Sequence, residues 1–177
     1  MNSIIDDLLK LSKIESQEED NTIELNEQRL NPILSGAIDD VQNIAIKRKN
    51  IILLECDDSV MVNGDPQLLR EAIINLLENA IKYGKAEKPI TISVEKTDLI
   101  NIHVKNHGEG IPKKYRGRIF QRFYRIDKSR DREAGGTGLG LAIVKHIALV
   151  HNGEVRVTPS KDHETCFTFS IPLSDTL

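Results

Sequence analysis

Between Pro66 and Tyr83 the residues Leu68, Leu69, Ala72, Ile73, Leu76, Leu77 and Ala80 recur at helical spacing. They form an apolar stripe too broad to leave in water, so this helix must lie on a flat apolar partner. The chain supplies one. Residues 90–96 and 100–105 alternate Ile and Val with polar residues around Thr97-Asp98, the pattern of a hairpin, and 154–158 and 165–171 read as two further strands. Shorter strand patterns cover 22–30, 51–55 and 60–62. Asn31-Pro32 opens a helix to about Lys49, with proline in the first turn where its missing N–H costs little. Asp65 caps helix 66–83. The fold class that follows is an α/β (α+β) sandwich: a mixed, mostly antiparallel sheet with helices on one face.

Composition narrows the functions. The net charge of -3 gives no global argument for nucleic acid or an anionic membrane. Aromatics are 4% and Trp is absent, so the core must be aliphatic. Cys56 and Cys166 stand far apart and read as buried free thiols of a reducing compartment. No apolar run approaches the roughly 18 residues of a membrane span and no signal peptide opens the sequence, so a cytosolic domain is expected. Residues 2–15 read as a helix, with Ile4, Ile5, Leu8, Leu11 and Ile14 on one side, and 15–21 as an acidic connector.

Helix 66–83 also carries a polar line. Asn75, Asn79, Lys82 and Tyr83 are spaced i, i+4, i+7 and i+8, so they share one strip of its surface. Two asparagines one turn apart oppose helix propensity, and such violations gather at functional sites. An Asn carbonyl is a hard neutral ligand for Mg²⁺, and a lysine is a point charge for phosphate. A solvated polar face is the plain alternative.

Two glycine loops sharpen the choice. Asn106-His-Gly108-Glu-Gly110-Ile111-Pro112 leaves a strand, with glycines that permit positive φ and close approach of a ligand. Gly135-Gly136-Thr137-Gly138-Leu139-Gly140-Leu141 runs straight into a helix, where free N–H groups and the dipole suit phosphate. No Lys-Ser/Thr follows, which excludes a P-loop. Position 141 is Leu and a basic stretch precedes the run, which excludes a dinucleotide fingerprint. Residues 113–132 hold nine of the 24 Lys and Arg. Phe120, Phe123 and Tyr124 sit there at helical spacing and Asp127, Asp131 and Glu133 interrupt the charge, so a lid closing over a triphosphate fits better than nucleic-acid binding. Arg122 and Arg125 could reach phosphate oxygens.

These residues resemble a family. Asn75-Leu-Leu-Glu-Asn79-Ala-Ile-Lys82-Tyr83 is similar to the N box of sensor histidine kinases and Asn106–Ile111 to their first glycine box. Phe120-Gln-Arg-Phe123-Tyr124-Arg125 resembles the F box, and Gly136–Ala142 the second glycine box. The four stand in family order, and Phe123–Ile147 is especially similar to kinases of the phosphate-sensing type. The resemblance implies the Bergerat ATP-binding fold, with ATP and Mg²⁺ as ligands. Asn79 would ligate the metal and Asn75 support the phosphates, with Lys82 and Tyr83 touching phosphate or ribose. Asn106 would read the adenine amino group beside Gly108, Gly110 and Ile111. Arg122, Tyr124 and Arg125 would belong to the lid, and Gly136, Thr137, Gly138, Leu139, Gly140 and Leu141 would wrap the phosphates. The catalytic set would be Asn75, Asn79, Lys82, Arg122 and Arg125.

The resemblance further implies that residues 1–17 end a dimerisation and phosphotransfer helix, and that 18–177 are the catalytic domain. The partners implied are a histidine-phosphotransfer domain and, downstream, a response regulator, with no nucleic acid and no membrane contact by these residues. None of His103, His107, His146, His151 or His163 stands in the family's phosphoacceptor context, so the target histidine is expected on another segment. Asn106 stands where the family has Asp, replacing a charge-assisted bond to adenine by a neutral one. That costs about 1 kcal/mol, and turning its amide toward guanine would relax base selectivity. Asn75 cannot act as a base on water, so slow hydrolysis is expected. The rival readings are a Bergerat-type ATPase or serine kinase, and a degenerate module that binds nucleotide without catalysis.

Overall fold

The computed structural model describes residues 3–19, 23–126, 136–159 and 164–173. Lys128, Arg130, Arg132, Gly135 and His163 lie outside them. In chain order the elements are α1 (Ser3–Glu19), β1 (Asn26–Arg29), α2 (Leu30–Lys47), β2 (Ile52–Glu55), β3 (Met61–Gly64), α3 (Pro66–Tyr83), β4 (Ile90–Lys96), β5 (Leu99–His107), α4 (Lys113–Arg116), α5 (Gly140–Val150), β6 (Glu154–Pro159) and β7 (Glu164–Pro172).

Five strands form one sheet in the order β2-β4-β5-β7-β6. Only β2 and β4 run parallel; the other pairs are antiparallel, and β1 and β3 make a separate two-stranded ribbon. The alternation in the strands decides which face is covered. Ile100, Ile102 and Val104 of β5 and Phe167, Phe169 and Ile171 of β7 are buried in the core that they share with the stripe of α3. The intervening residues pair across the other face, where Ser170 Oγ donates to Asn101 Oδ1 at 2.7 Å and His103 Nδ1 lies 3.0 Å from Thr168 Oγ1. Helices α2 and α5 flank α3 on the apolar side. This is the expected mixed sheet with helices on one face.

The ends of α3 follow local chemistry. Asp65 Oδ1 accepts from the N–H groups of Gln67 and Leu68, both at 2.8 Å, so the cap and the proline behind it start the helix where the sequence indicates. Three expectations need correction. The strand expected over 22–30 is only Asn26–Arg29, because Leu30 is fully buried as the first residue of α2. The acidic stretch expected to be a connector continues α1 to Glu19, with Leu11 and Ile14 buried in the common core. The F box is not one helix. After α4 the chain turns, and Phe123 takes a left-handed conformation (φ 60°) with its N–H on Gly138 O at 2.9 Å.

Candidate nucleotide site

The polar line of α3 meets the glycine run that leads into α5. Asn75, half-buried, donates from Nδ2 to Glu71 O at 2.9 Å. Its Oδ1 fills the space beside Gly140, where an added Cβ would come within 2.7 Å of it. Lys82 Nζ lies so close to Gly136 that a Cβ there would overlap it, and Tyr83 Oη is 4.0 Å from the same point. The ammonium also sits 4.9 Å from the Tyr83 ring centroid. Asn79 lies between them on the line, half-buried. Two boxes more than 50 positions apart therefore share a surface on which a Cβ would not fit.

The first glycine box packs on the end of α3. Asn106 is 3% exposed, and its amide nitrogen lies 3.3 Å from where a Cβ would stand on either Gly84 or Gly108. That nitrogen donates weakly to His107 O at 3.3 Å, which leaves Oδ1 as the acceptor. Gly84 and Gly108 form an antiparallel bridge, and Lys85 N–H donates to His107 O at 2.8 Å. Gly110 has φ 74°, a conformation that suits glycine, and Ile111 beyond it is half-buried, its carbonyl held by Arg116 Nε at 2.8 Å.

Residues of the F box reach the second glycine box rather than the first. Gly138, at φ 76°, would place a Cβ 3.0 Å from Phe123 Cα and 3.4 Å from Arg125 Cγ. Tyr124 is half-buried beneath the Arg118 guanidinium, 4.7 Å from its ring centroid. Thr137 Oγ1 accepts the N–H of Leu139 at 3.2 Å. Leu139 is buried and Leu141 packs against the core.

Sequence reasoning missed the part of α1. Asp7 Oδ2 accepts from Thr137 Oγ1 at 2.7 Å, Glu15 pairs with Arg122, and Glu15 Oε1 is also 3.0 Å from His146 Nε2. Lys10 Nζ bonds Glu71 Oε1 at 2.7 Å, beside Asn75. Burial first, then the charges of Glu71 and Asp7, raise the pKa of Glu78, with Lys10 opposing them. Nothing within residues 3–19 signals these contacts, since their partners are 61 to 131 positions away. Of the histidines, His103, His107 and His146 each lie near a glutamate and His151 is buried. Among the described residues no group of three or more His, Cys, Asp or Glu could hold a metal ion, and no helix is long and apolar enough to cross a membrane. Both cysteines are free, and burial first, then Asp57 and Asp58, pushes the Cys56 thiol up to about 11, where it is inert.

Residues 64–175 match the family described as Histidine kinase-, DNA gyrase B-, and HSP90-like ATPase, and the chain belongs to it. Within it, the fold is that of the ATP-binding catalytic domain of sensor histidine kinases. The catalytic domain of the histidine kinase ThkA superposes with a TM-score of 0.75 at 25% identity, covering 85% of this chain and 97% of that one. Among curated proteins, the sensor-like histidine kinase SenX3 of Mycolicibacterium smegmatis is 38% identical over 170 residues, 96% of this chain and 44% of its own length. The sensor histidine kinase WalK of Bacillus subtilis is 33% identical over 177 residues, 97% of this chain and 28% of its own. The chain thus spans less than half the length of these relatives.

Proposed function

We propose that this chain binds Mg·ATP between α3 and the two glycine loops and transfers the γ-phosphoryl group to a histidine on a dimerisation and phosphotransfer domain. The observation that carries this reading is the contact of Lys82 and Asn75 with Gly136 and Gly140, which leaves backbone N–H groups and an ammonium on one surface. Asn106 Oδ1 is the acceptor left for the adenine amino group, which favours ATP over GTP despite the missing carboxylate.

The donor set fits magnesium. A single carboxamide, Asn79, suits an ion that keeps its waters and takes its remaining ligands from phosphates, and among the described residues no group of three or more His, Cys, Asp or Glu could hold a metal ion without it. There it would neutralise charge on the phosphate oxygens. The protein's work is positioning. Lys82 holds the phosphate end and the amides of Gly136–Leu141 wrap it, while Arg122 and Arg125 approach from the lid. A ring nitrogen of the target histidine forms the N–P bond as the bond from the γ-phosphorus to the β–γ bridging oxygen breaks. ADP leaves with that electron pair, and the ring releases a proton to solvent. Asn75, its amide committed to Glu71 O, activates no water, so ATP hydrolysis stays slow.

In this reading residues 1–17 end the dimerisation helix, 18–177 form the catalytic domain, a response regulator takes the phosphoryl group onward, and the domain works in the cytosol. The test is transfer from ATP to a separately expressed phosphoacceptor domain. Labelled product that disappears in Asn79→Ala supports it. Rapid ATP turnover without a phosphoacceptor, lost in Asn79→Ala, replaces it with an ATPase.

A further inference from the structure

Three consecutive residues between α2 and β2 grip the segment that follows α3. Arg48 Nη2 donates to Lys82 O at 3.3 Å, and Lys49 Nζ pairs with Glu87 Oε1 at 2.9 Å; both contacts are exposed. Asn50 is different. It is 5% exposed, and its Nδ2 donates to two backbone carbonyls, Lys85 O at 2.9 Å and Lys88 O at 2.8 Å. Because both partners are carbonyls, the amide orientation is fixed by chemistry. Its Oδ1 is buried with no hydrogen-bond partner among the described residues, a cost that a mere turn former would not carry.

The held segment faces the base side of the pocket. Lys85, whose carbonyl Asn50 binds, gives its own N–H to His107 O, and Gly84 bridges Gly108. Asn106 is wedged against both glycines. A loop shifted outward at Lys85 would therefore release the backbone against which Asn106 is set.

We infer that Asn50 is a positioning residue for the base end of the nucleotide site: its carboxamide staples the 85–88 turn and so fixes Asn106 and Gly108 toward the base, leaving the phosphate end untouched. This rests on the functional reading above. Its mark is a split between two ligands, because the base end alone should loosen.

The test uses the full chain with Mg·ATP and with magnesium tripolyphosphate, a probe that has no base. Asn50→Ala removes both donors. Asn50→Asp keeps the shape but sets carboxylate oxygens against the two carbonyls. Asn101→Ala breaks a buried polar pair on the opposite face of the sheet as a control for general destabilisation. The expected result is about a tenfold rise in the Mg·ATP Kd for Asn50→Ala, the loss of one well-placed hydrogen bond. Tripolyphosphate binding stays unchanged, Lys85 amide exchange is faster, and Asn101→Ala binds both ligands normally. Should Asn50→Asp fold where Asn50→Ala does not, the same split is read from it. Equal weakening of both ligands, or no change in either, overturns the inference and leaves the function standing. Failure of the unaltered chain to bind Mg·ATP removes both.

Discussion

The two ends of the proposed nucleotide site are built by different means. At the base end the first glycine box is joined to the end of α3 backbone to backbone: Gly84 bridges Gly108, Lys85 N–H meets His107 O, and Asn106 is enclosed by glycine. At the phosphate end side chains do the joining, with Lys82 against Gly136, Asn75 against Gly140, and α1 reaching over with Asp7 on Thr137 and Glu15 on Arg122. A backbone ladder has one arrangement and little dependence on salt or pH. Side-chain contacts between charged groups can be exchanged for others, including the oxygens of a phosphate. On the proposed function, the half assigned to the base is thus fixed before ligand arrives, and the half assigned to the phosphates is held by groups a ligand can replace.

The same substitution in each half should break this contrast or establish it. A methyl group on Gly84 would strike the backbone carbonyl of Ala80, which cannot move without unwinding α3. Gly84→Ala is expected to lose about 3 kcal/mol of stability by chemical denaturation, the upper end for overpacking. A methyl on Gly136 meets Lys82 Nζ, the far end of a flexible side chain. Gly136→Ala should keep its denaturation midpoint and lose Mg·ATP affinity instead. Equal stability losses in the two variants would show that both ends are rigid in the same way.

Lys82 itself gives the next largest effect. Lys82→Ala removes an ammonium from the phosphate end without touching the core, since the residue is only half-buried. Mg·ATP binding should weaken by about 2 kcal/mol, the value of a hydrogen bond to a charged group, or roughly thirtyfold. Titration of both proteins with Mg·ATP and tripolyphosphate checks it, and here both ligands should suffer. A variant that loses ATP but keeps tripolyphosphate would move Lys82 to the base end.

How much of this was legible in the sequence follows the range of the interactions. Helix α3 was readable to its terminal residues because its cap, its proline and its stripe are local signals, and the line from Asn75 to Tyr83 follows from helix geometry. Asn106 and the glycines were legible through their resemblance to known boxes. Three features were not. The acidic run to Glu19 looked like a connector because Leu11 and Ile14, which hold it helical, are buried by distant elements. Phe123 looked helical by spacing, and only its bond to Gly138 O, 15 positions on, draws it to positive φ. Nothing near Asn50 in the sequence marks it, since its two partners lie 35 and 38 positions away.

The two halves are also tied at the far ends of their helices, which gives a smaller, pH-dependent effect. His151 is 2% exposed just after α5. Its Nε2 accepts the N–H of Asp65, the cap of α3, at 3.1 Å, and its Nδ1 donates to Ile147 O at 2.7 Å. Burial lowers its pKa below the ordinary 6.5, against the opposing effects of the Ile147 carbonyl and Asp65. The fold therefore prefers the neutral ring. This contribution is fully present above about pH 6.5 and is lost as pH falls toward the depressed folded value. His151→Gln should cost about 1 kcal/mol at pH 8, from the cap N–H left unpaired, and should flatten the fall in stability as pH drops below about 6.5. An unchanged slope would place the acid sensitivity elsewhere.

The smallest effect on stability sits at the contacts of α1. Asp7 and Glu15 take Thr137 and Arg122, two groups that the functional reading gives to the phosphates and the lid. Arg122 is about half exposed, so its pair adds little to the fold, and Asp7→Asn with Glu15→Gln should change stability by less than about 1 kcal/mol. The carboxylates nonetheless stand against the charge of a triphosphate. Removing them should tighten Mg·ATP binding about threefold at low salt, with the gain fading as added salt screens it. Weaker binding in the double variant would mean that α1 holds the second glycine box open for nucleotide rather than competing with it. The phosphate end would then be as preset as the base end.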